Sequence, residues 1–410
     1  MQNLKNSRII FIFITMFLNF LGFSIIIPII PFLVGKYIQD QSLVAWNVGL
    51  ILSIFAFCQF FAAPGLGALS DRYGRRPILL ISLLGSAIGY IIMGIGGSLW
   101  VLFLGRIIDG TTGGNISTVY AYLADITEPK NRAKYYGMLG AAGGFGFIVG
   151  PAIGGLLAHI SVSAPLFAAA AVTFVNMLWG YFVLPESLPK EHKTESFDLA
   201  HLNPFSQFKH IFSIQILRRI FLFGLIFLFA LYCMHGNNAV FMKDAFNWSP
   251  TQIGFLLFII GIVDVFSQGF LVRKLMPIFH ETKIGIAGLV LALIGFIMIV
   301  ITAITNYLPL FYLGIIILNI GDGLFEPSYN SLVSKSVSPK MQGRVQGASQ
   351  GLQSIGRMIA PLFAAWIYSY WRGLPFVLES VFVIISLTVF VYTLPVIRAY
   401  KARIEETILK

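Results

Sequence analysis

Apolar residues run along this chain in blocks of twenty or so, separated by short polar connections. A helix needs about 20 mostly apolar residues to cross a bilayer. The blocks predict twelve such helices, spans 1 to 12, over residues 9–34, 44–68, 78–97, 99–124, 134–158, 163–184, 219–242, 250–272, 284–304, 308–333, 344–368 and 374–396. Gly and Pro occur freely inside them, as membrane helices tolerate. The alternating ten-residue pattern of an outer-membrane barrel is absent. The pattern therefore predicts an all-α polytopic membrane protein.

Composition agrees with that reading. Only 11% of the 410 residues are charged and 57% are hydrophobic, whereas soluble domains carry roughly 25% charged residues. The net charge of +11 would suit a nucleic-acid partner if it were clustered on one face. Its placement argues otherwise. With the N-terminus inside, the outer loops hold only Lys36, Lys243 and Arg372, and Arg106 and Arg357 fall within spans, leaving 23 of the 28 Lys and Arg in inner segments. Positive charge on the inner side sets the orientation, so both termini are expected in the cytoplasm, in a multi-pass protein of the cell membrane. Span 1 is too long for a cleavable signal and lacks a small-residue cleavage site. Cys58 and Cys233 lie inside spans, where two thiols are neither a metal set nor a disulfide pair. No nucleic-acid partner, metal or other cofactor is expected.

A polar stretch over residues 185–218 divides six spans from six. It predicts an N-terminal half over residues 1–184, a cytoplasmic linker, and a C-terminal half over 219–410. Within the linker, "FSQFKHIFSIQILRR" reads either as a helix on the membrane face or as solvated linker. The halves carry traces of duplication. Pro129 and Pro339, Lys130 and Lys340, Gly137 and Gly347, Gly146 and Gly356, and Pro151 and Pro361 are all 210 residues apart. Internal repeats are common in secondary transporters, which place their sites near the midplane between repeats.

The connection between spans 2 and 3, "GLGALSDRYGRRP", concentrates charge between two apolar blocks. Its pattern of Gly67, Asp71, Arg72, Gly74, Arg75 and Arg76 resembles the signature loop of the major facilitator superfamily. That resemblance implies a cytoplasmic latch that closes between the halves in the outward-open state. Span 5 carries Gly137, Gly146, Gly150, Pro151, Gly154 and Gly155, similar to the antiporter motif of the drug:proton exporters in that superfamily. Small residues let helices approach closely, and a Gly-Pro pair bends the helix. The two together supply a face on which one half can rock against the other. "LGRIIDG" in span 4 resembles the family's intramembrane arginine segment, and "LPES" resembles the usual end of span 6. The run "LSDRYGRRPILLISLLGSAIGY" is most similar to the tetracycline/proton antiporters. The resemblance implies a twelve-helix fold of two pseudo-symmetric halves, acting as a monomer on a small molecule. The chain departs from that subgroup at Asn19, where those exporters have an acidic residue, and at Gly89, where they have an aspartate.

Charge inside a bilayer costs at least ~2.5–3.5 kcal/mol per group on insertion scales, so it marks function. Asp109, Asp264, Asp322, Glu326, Glu379, Arg106 and Arg357 qualify by position. Arg106 and Asp109 share a helical face at a spacing of three. They either satisfy one another structurally or leave Asp109 free to exchange a proton. Asp322 and Glu326 share a face of span 10, where two carboxylates resist double ionisation. Arg357 of span 11 can neutralise one of them. Asp264 precedes Gln268 by one turn. Candidate proton carriers are, in order, Asp322, then Asp264 and Glu326, then Asp109. Glu379 on span 12 reads as structural or interfacial. Polar and aromatic positions suited to a substrate cavity are Asn19, Phe23, Gln59, His235, Asn237, Asn238, Gln268 and Gln353.

No "GxxxxGK[ST]" loop occurs, so ATP is not expected to drive the protein. No nucleophile elbow or paired metal motif appears either, and no enzyme is expected. The sequence points to a proton-coupled antiporter that exports small amphipathic or drug-like compounds by alternating access. A metabolite transporter on the same fold, for a sugar, organic acid or siderophore, remains the alternative. A receptor or scaffold that has lost transport is the reading from another class. The membrane acids argue against it, since a scaffold need not bear their insertion cost.

Overall fold

The computed structural model describes residues 2–189, 191, 193, 214–337 and 341–408. Those residues are overwhelmingly helical and include no strand. All twelve expected spans are present, in the predicted order. Ten helices are long and apolar enough to cross a membrane. The other two spans fall short for visible reasons. Span 4 is interrupted, and span 11 carries Gln346, Gln350, Gln353 and Arg357 among its apolar residues.

Several boundaries move. Span 1 is not one helix to residue 34: Gln2–Ser24 is followed by turns and a short helix, Ile30–Gly35. Pro28 lacks the N–H an unbroken helix needs, and it disfavours α geometry at the residue before it. Span 2, Gln41–Tyr73, is longer than expected. It starts on Asp40, whose side chain accepts from the Leu43 N–H at 2.9 Å, a standard N-cap arrangement. It continues through most of the charged connection, so that the expected loop shrinks to Gly74, at φ 111°, before span 3 begins at Arg75. Span 4 consists of Leu99–Thr112 and Ile116–Ile126 joined by a 3₁₀ turn at Gly113–Asn115. Span 8 consists of Pro250–Phe266, a π-turn at Ser267–Leu271 and Val272–Leu275. The remaining spans are Arg132–Leu157, Ala164–Val183, Gln215–Phe246, Glu281–Thr305, Leu308–Lys335, Gln342–Tyr368 and Leu374–Ile408. Of the segment expected as a linker helix or solvated linker, residues 205–213 lie outside the described residues, as do Pro339 and Lys340 of the repeat, while Gln215 to Arg219 form the first turn of the span 7 helix.

The chain forms two compact units, residues 1–204 with 242–258, and residues 205–241 with 259–410. The end of span 7 and the first half of span 8 thus group with the first unit. That unit is cored by Phe11, Met16, Leu79, Leu83, Tyr122 and Leu139 from spans 1, 3, 4 and 5. The second unit is cored by aromatic rings. Phe223 stacks on Phe390 at 4.2 Å, and Phe227 meets Phe325 edge-on at 4.5 Å, tying spans 7, 10 and 12. Outward faces stay apolar, with Ile81, Ile95, Trp100, Ile160 and Phe182 strongly exposed. That is how helices present themselves to lipid.

The repeat is visible in charge as well as in glycine. Arg75, at the start of span 3, pairs with Asp125 at the end of span 4, at 3.4 Å. In the second unit Glu281, at the start of span 9, pairs with Lys335 at the end of span 10, at 3.3 Å. Asp125 and Lys335 are again 210 residues apart. The same joint is kept with its polarity reversed.

Candidate functional site

Each unit contains a buried polar cluster. In the second unit the π-turn and a glycine bring spans 8 and 10 together. A Cβ added to Gly323 would stand 2.5 Å from Ser267 Cβ and 3.4 Å from Asp264 Oδ1. Only a glycine permits that approach, and it sets Asp264 beside Asp322. Gln268 Nε2 donates to Asp264 Oδ1 at 2.9 Å. Asp322 is within electrostatic reach of both Glu326 and Asp264, and its Oδ1 is buried with no hydrogen-bond partner. Glu326 feels Asp264 and Arg357. Arg357 lies over the Tyr232 ring at 5.9 Å and donates to Ser354 Oγ at 3.3 Å. Among the described residues it makes no ion pair within 4.0 Å. Gln353 is buried, its Oε1 accepting from the Tyr232 hydroxyl at 3.3 Å. His235 is exposed, with its ring 6.4 Å from that of Tyr232. Asn237 and Asn238 are buried with all their amide atoms unpaired.

The first unit holds the other cluster. Arg106 is completely buried and binds Asp109 Oδ2 through Nη1 at 3.0 Å. The hydroxyls of Ser86 and Tyr90, one turn apart on span 3, lie close to Asp109, and Ser86 Oγ shares a 3.2 Å hydrogen bond with Thr112 Oγ1. Gly22 of span 1 makes room for the Tyr90 hydroxyl. The Arg106 guanidinium lies over Phe55 at 4.5 Å and near Phe23 at 5.9 Å. Phe23 in turn touches Phe55 and Phe147. Asn19 Nδ2 donates to Asn115 Oδ1 at 2.9 Å, and Gln59 Nε2 to Gly113 O at 3.1 Å. Gly89 has no space for a side chain. Its Cβ would meet Gly105 O at 2.7 Å and Asp109 Cβ at 3.1 Å. The span 4 aspartate therefore occupies the ground that a span 3 aspartate at position 89 would need.

Asp264, Asp322, Glu326, Gln268 and Arg357 are thus neighbours, whereas Asp109 and Arg106 belong to a separate cluster. Glu379 stands apart from both. It is fully buried with neither oxygen paired, and Cys233 is the titratable group it influences. The residues that sequence reasoning missed are mostly partners. Ser86 and Tyr90 were visible as polar positions four apart in an apolar span, but their target lies on another helix.

The signature connection is bound into its own unit. Asp71 pairs with Arg75 at 2.6 Å, and Arg75 also donates to Ser70 Oγ at 2.6 Å. Ser70 Oγ donates to Gly67 O at 2.7 Å. Arg72 rests exposed on Tyr73 at 5.4 Å. Glu186, from the "LPES" segment, accepts the Arg75 N–H at 2.8 Å and the Arg76 N–H at 3.3 Å. A carboxylate on the first free N–H groups of a helix is favourable both as a cap and with the helix dipole. Gly74 leaves the carboxylate room, since a Cβ there would overlap it. Arg76 Nη2 donates to Tyr181 O at 2.6 Å, and Ser187 Oγ to Asp125 Oδ2 at 2.8 Å.

The span 5 glycines have two faces. Gly146, Gly150 and Gly154 abut the carbonyls of Phe17, Leu21 and Ile25 on span 1, one per turn. Gly155 meets Pro250 and Thr251, and Thr251 Oγ1 donates to Gly155 O at 2.7 Å. Gly254 in turn abuts the carbonyl of Pro151. Around Gly137 a Cβ would meet nothing within 4 Å.

The "Tetracycline resistance protein, class C" of Escherichia coli is 33% identical over 387 residues, covering 93% of this chain and 96% of that protein. The "Quinolone resistance protein NorA" of Staphylococcus aureus (strain COL) is 26% identical, covering 88% of this chain and 90% of that one. The solved structure of a bacterial homolog of the human lysosomal transporter Spinster, inward-facing and unoccupied, superposes with a TM-score of 0.79. At 15% identity, covering 98% of each chain, it speaks for the fold alone. A family model matches residues 12–361, with a second match over 234–409. By that match, and by the 33% identity over nearly its whole length, this twelve-helix chain belongs to the Major Facilitator Superfamily and is a transporter, not an enzyme.

Proposed function

We propose that the protein is a proton-coupled antiporter that exports small amphipathic, drug-like compounds from the cytoplasm by alternating access. The observation that carries this reading is the second unit's acid cluster. Asp322 has a buried carboxylate oxygen with no partner, and Glu326 and Asp264 lie within its field. Such a group is tolerable in a membrane when protonated and expensive when ionised. Adjacent carboxylates raise the cost of ionising all three together. The cluster can hold a proton and release it when a positive charge approaches, whether Arg357 or a cationic group of the substrate. Proton and substrate then compete for one charge balance, which is what exchange requires.

In this reading residues 1–184 and 219–410 act as the rocking halves, with both termini cytoplasmic. Asp71 and the arginines beside it latch the inner side, and the Gly-Pro face of span 5 accommodates the motion. The protein works as a monomer. The names of the relatives, tetracycline and quinolone resistance proteins, support drug-like compounds as the substrate class.

The test is proton movement in proteoliposomes on addition of substrate. Asp322→Asn keeps shape and hydrogen bonding but cannot titrate. It is expected to abolish substrate-induced proton flux while leaving a folded, monodisperse protein. Normal proton movement in that variant would overturn Asp322 as carrier. Transport restored by adding Arg357→Gln would reassign Asp322 to charge neutralisation.

A further inference from the structure

The Arg106–Asp109 pair is lopsided. Asp109 takes Nη1 of Arg106 at 3.0 Å and has the hydroxyls of Ser86 and Tyr90 close by. Arg106, fully buried, has one acceptor, and its Nε and Nη2 have no partner. An unsatisfied buried polar group costs roughly 1–3 kcal/mol, and more when charged. The Phe55 and Phe23 rings attract the cation. Ring carbon, however, gives no lone pair to the N–H groups, which lie in the guanidinium plane. The unused edge of Arg106 is therefore fitted to an acceptor that the protein itself does not provide.

A second idle donor lies nearby on the same side. Asn115 is fully buried. Its Oδ1 takes the Asn19 amide, while its Nδ2 has no partner. Asn19 is four residues from Phe23 on span 1, and Gln59 is four residues from Phe55 on span 2. The Asn115 level thus stands one helical turn from the Arg106 level, about 6 Å along the helices. Span 4 passes from the Arg106 level to Asn115 through the 3₁₀ turn at Gly113–Asn115. Asn19, Gln59 and Phe23 are all half-buried, and the Phe23 ring lies 5.9 Å from the Arg106 guanidinium.

We propose that this strip is a subsite for an acidic oxygen of the substrate. Arg106 binds a carboxylate through its free edge. The attached aromatic ring packs against Phe23 and Phe55, and Asn115 Nδ2 takes a second acceptor oxygen one turn away. A planar guanidinium suits a pair of oxygens better than any other side chain does. The inference rests on the export reading and deepens it, naming aromatic acids as the compounds carried.

The test is equilibrium binding to the full-length protein in lipid nanodiscs, without a gradient, so that proton coupling plays no part. The probes are norfloxacin and norfloxacin methyl ester, which share a ring system and differ in the carboxylate. The acid is expected to bind at least tenfold more tightly than the ester. Arg106→Gln is expected to bring the acid to the affinity of the ester and leave the ester within twofold. Arg106→Lys, which keeps the charge and loses the fork, is expected to fall between. Should the Gln variant not fold, the wild-type acid-to-ester ratio and the Lys variant carry the decision. Equal affinities in the wild type, or an Arg106→Gln that weakens both probes alike, overturn the subsite and leave the export reading standing. Binding of neither probe overturns the subsite and removes quinolones from the export reading as well.

Discussion

Replacing Gly150 by Ala tests the contact between spans 5 and 1. The new Cβ would overlap Ser24 Oγ and would stand 2.9 Å from Leu21 O and 3.1 Å from Ile25 N. Ser24 can rotate away, but the carbonyl and the amide belong to a helix backbone and cannot. To restore an ordinary 3.4 Å contact with Leu21 O, against 2.9 Å, the two helices must part by roughly 0.5 Å. Gly146 and Gly154 grip the same helix one turn on either side, so the parting is resisted along the whole seam. Overpacking of this kind costs about 1–3 kcal/mol. The better helix propensity of Ala returns about 1 kcal/mol, leaving a net loss of up to roughly 2 kcal/mol. The same helix supplies its own control. At Gly140 and Gly144 a Cβ would meet nothing within 4 Å. Ala there is expected to stabilise by about 0.4–1 kcal/mol, through the unfolded chain. Thermal unfolding of the detergent-solubilised protein, followed by fluorescence-detected size exclusion, reads both signs. Gly150→Ala should lower the midpoint by about 1–2 °C, and Gly144→Ala should hold or raise it. Equal shifts in the same direction would refute the argument, since helix propensity alone would then explain both.

Gly89→Asp is expected to abolish folded yield, because the site is closed by Gly105 O and Asp109. Adding Asp109→Ser should recover part of that yield, as measured by monodisperse protein after solubilisation; no recovery would show that the backbone obstacle dominates. Glu186→Gln should destabilise by about 1 kcal/mol, because the charge on the Arg75 and Arg76 N–H groups is lost; an unchanged unfolding midpoint would refute the capping role. Asp71→Asn is expected to shift the protein toward the inward-open state, read as increased labelling of cysteines introduced on the inner side. Unchanged labelling together with full transport would remove the latch.

The twelve spans were legible because a bilayer demands one signal, a long apolar block, and hydropathy reads it directly. What hydropathy cannot read is the hydrogen-bond register inside a block. Gly113–Asn115 sits in the middle of an apolar segment, and nothing in the count of apolar residues announces that the helix tightens there. The π-turn at Ser267–Leu271 is hidden in the same way. The charged connection misled for a related reason. Charge predicts a loop, yet Asp71 and Arg72 are helical, and only Gly74 leaves the helix. The intramembrane charges stood out singly because each breaks the composition of its span. Their grouping was only half visible. Arg106 with Asp109, and Asp322 with Glu326, follow from spacing on one helix. Asp264 joins the second pair only through the contact of Gly323 with Ser267, which belongs to tertiary packing. Glu186 was recognised as the tail of span 6, but its task, capping a helix 111 residues earlier, depends on where the chain returns.

The π-turn of span 8 bears on how this chain can change length. A helix that closes one turn through i→i+5 bonds has taken in one residue more than an α-helix needs, while the turns before and after keep their geometry. Elsewhere in a membrane helix, inserting or deleting a residue turns everything beyond it by about 100°, and lipid-facing positions become buried ones. At Ser267–Leu271 the surplus residue is already accommodated, and Gly269, with open space where a side chain would be, is the natural one to lose. Span 8 can therefore absorb a one-residue deletion there, with Asp264 on one side and Arg273 and Lys274 on the other each keeping its own helical face. Length variation inside a transmembrane helix, ordinarily ruined by rotation, is admissible at this turn.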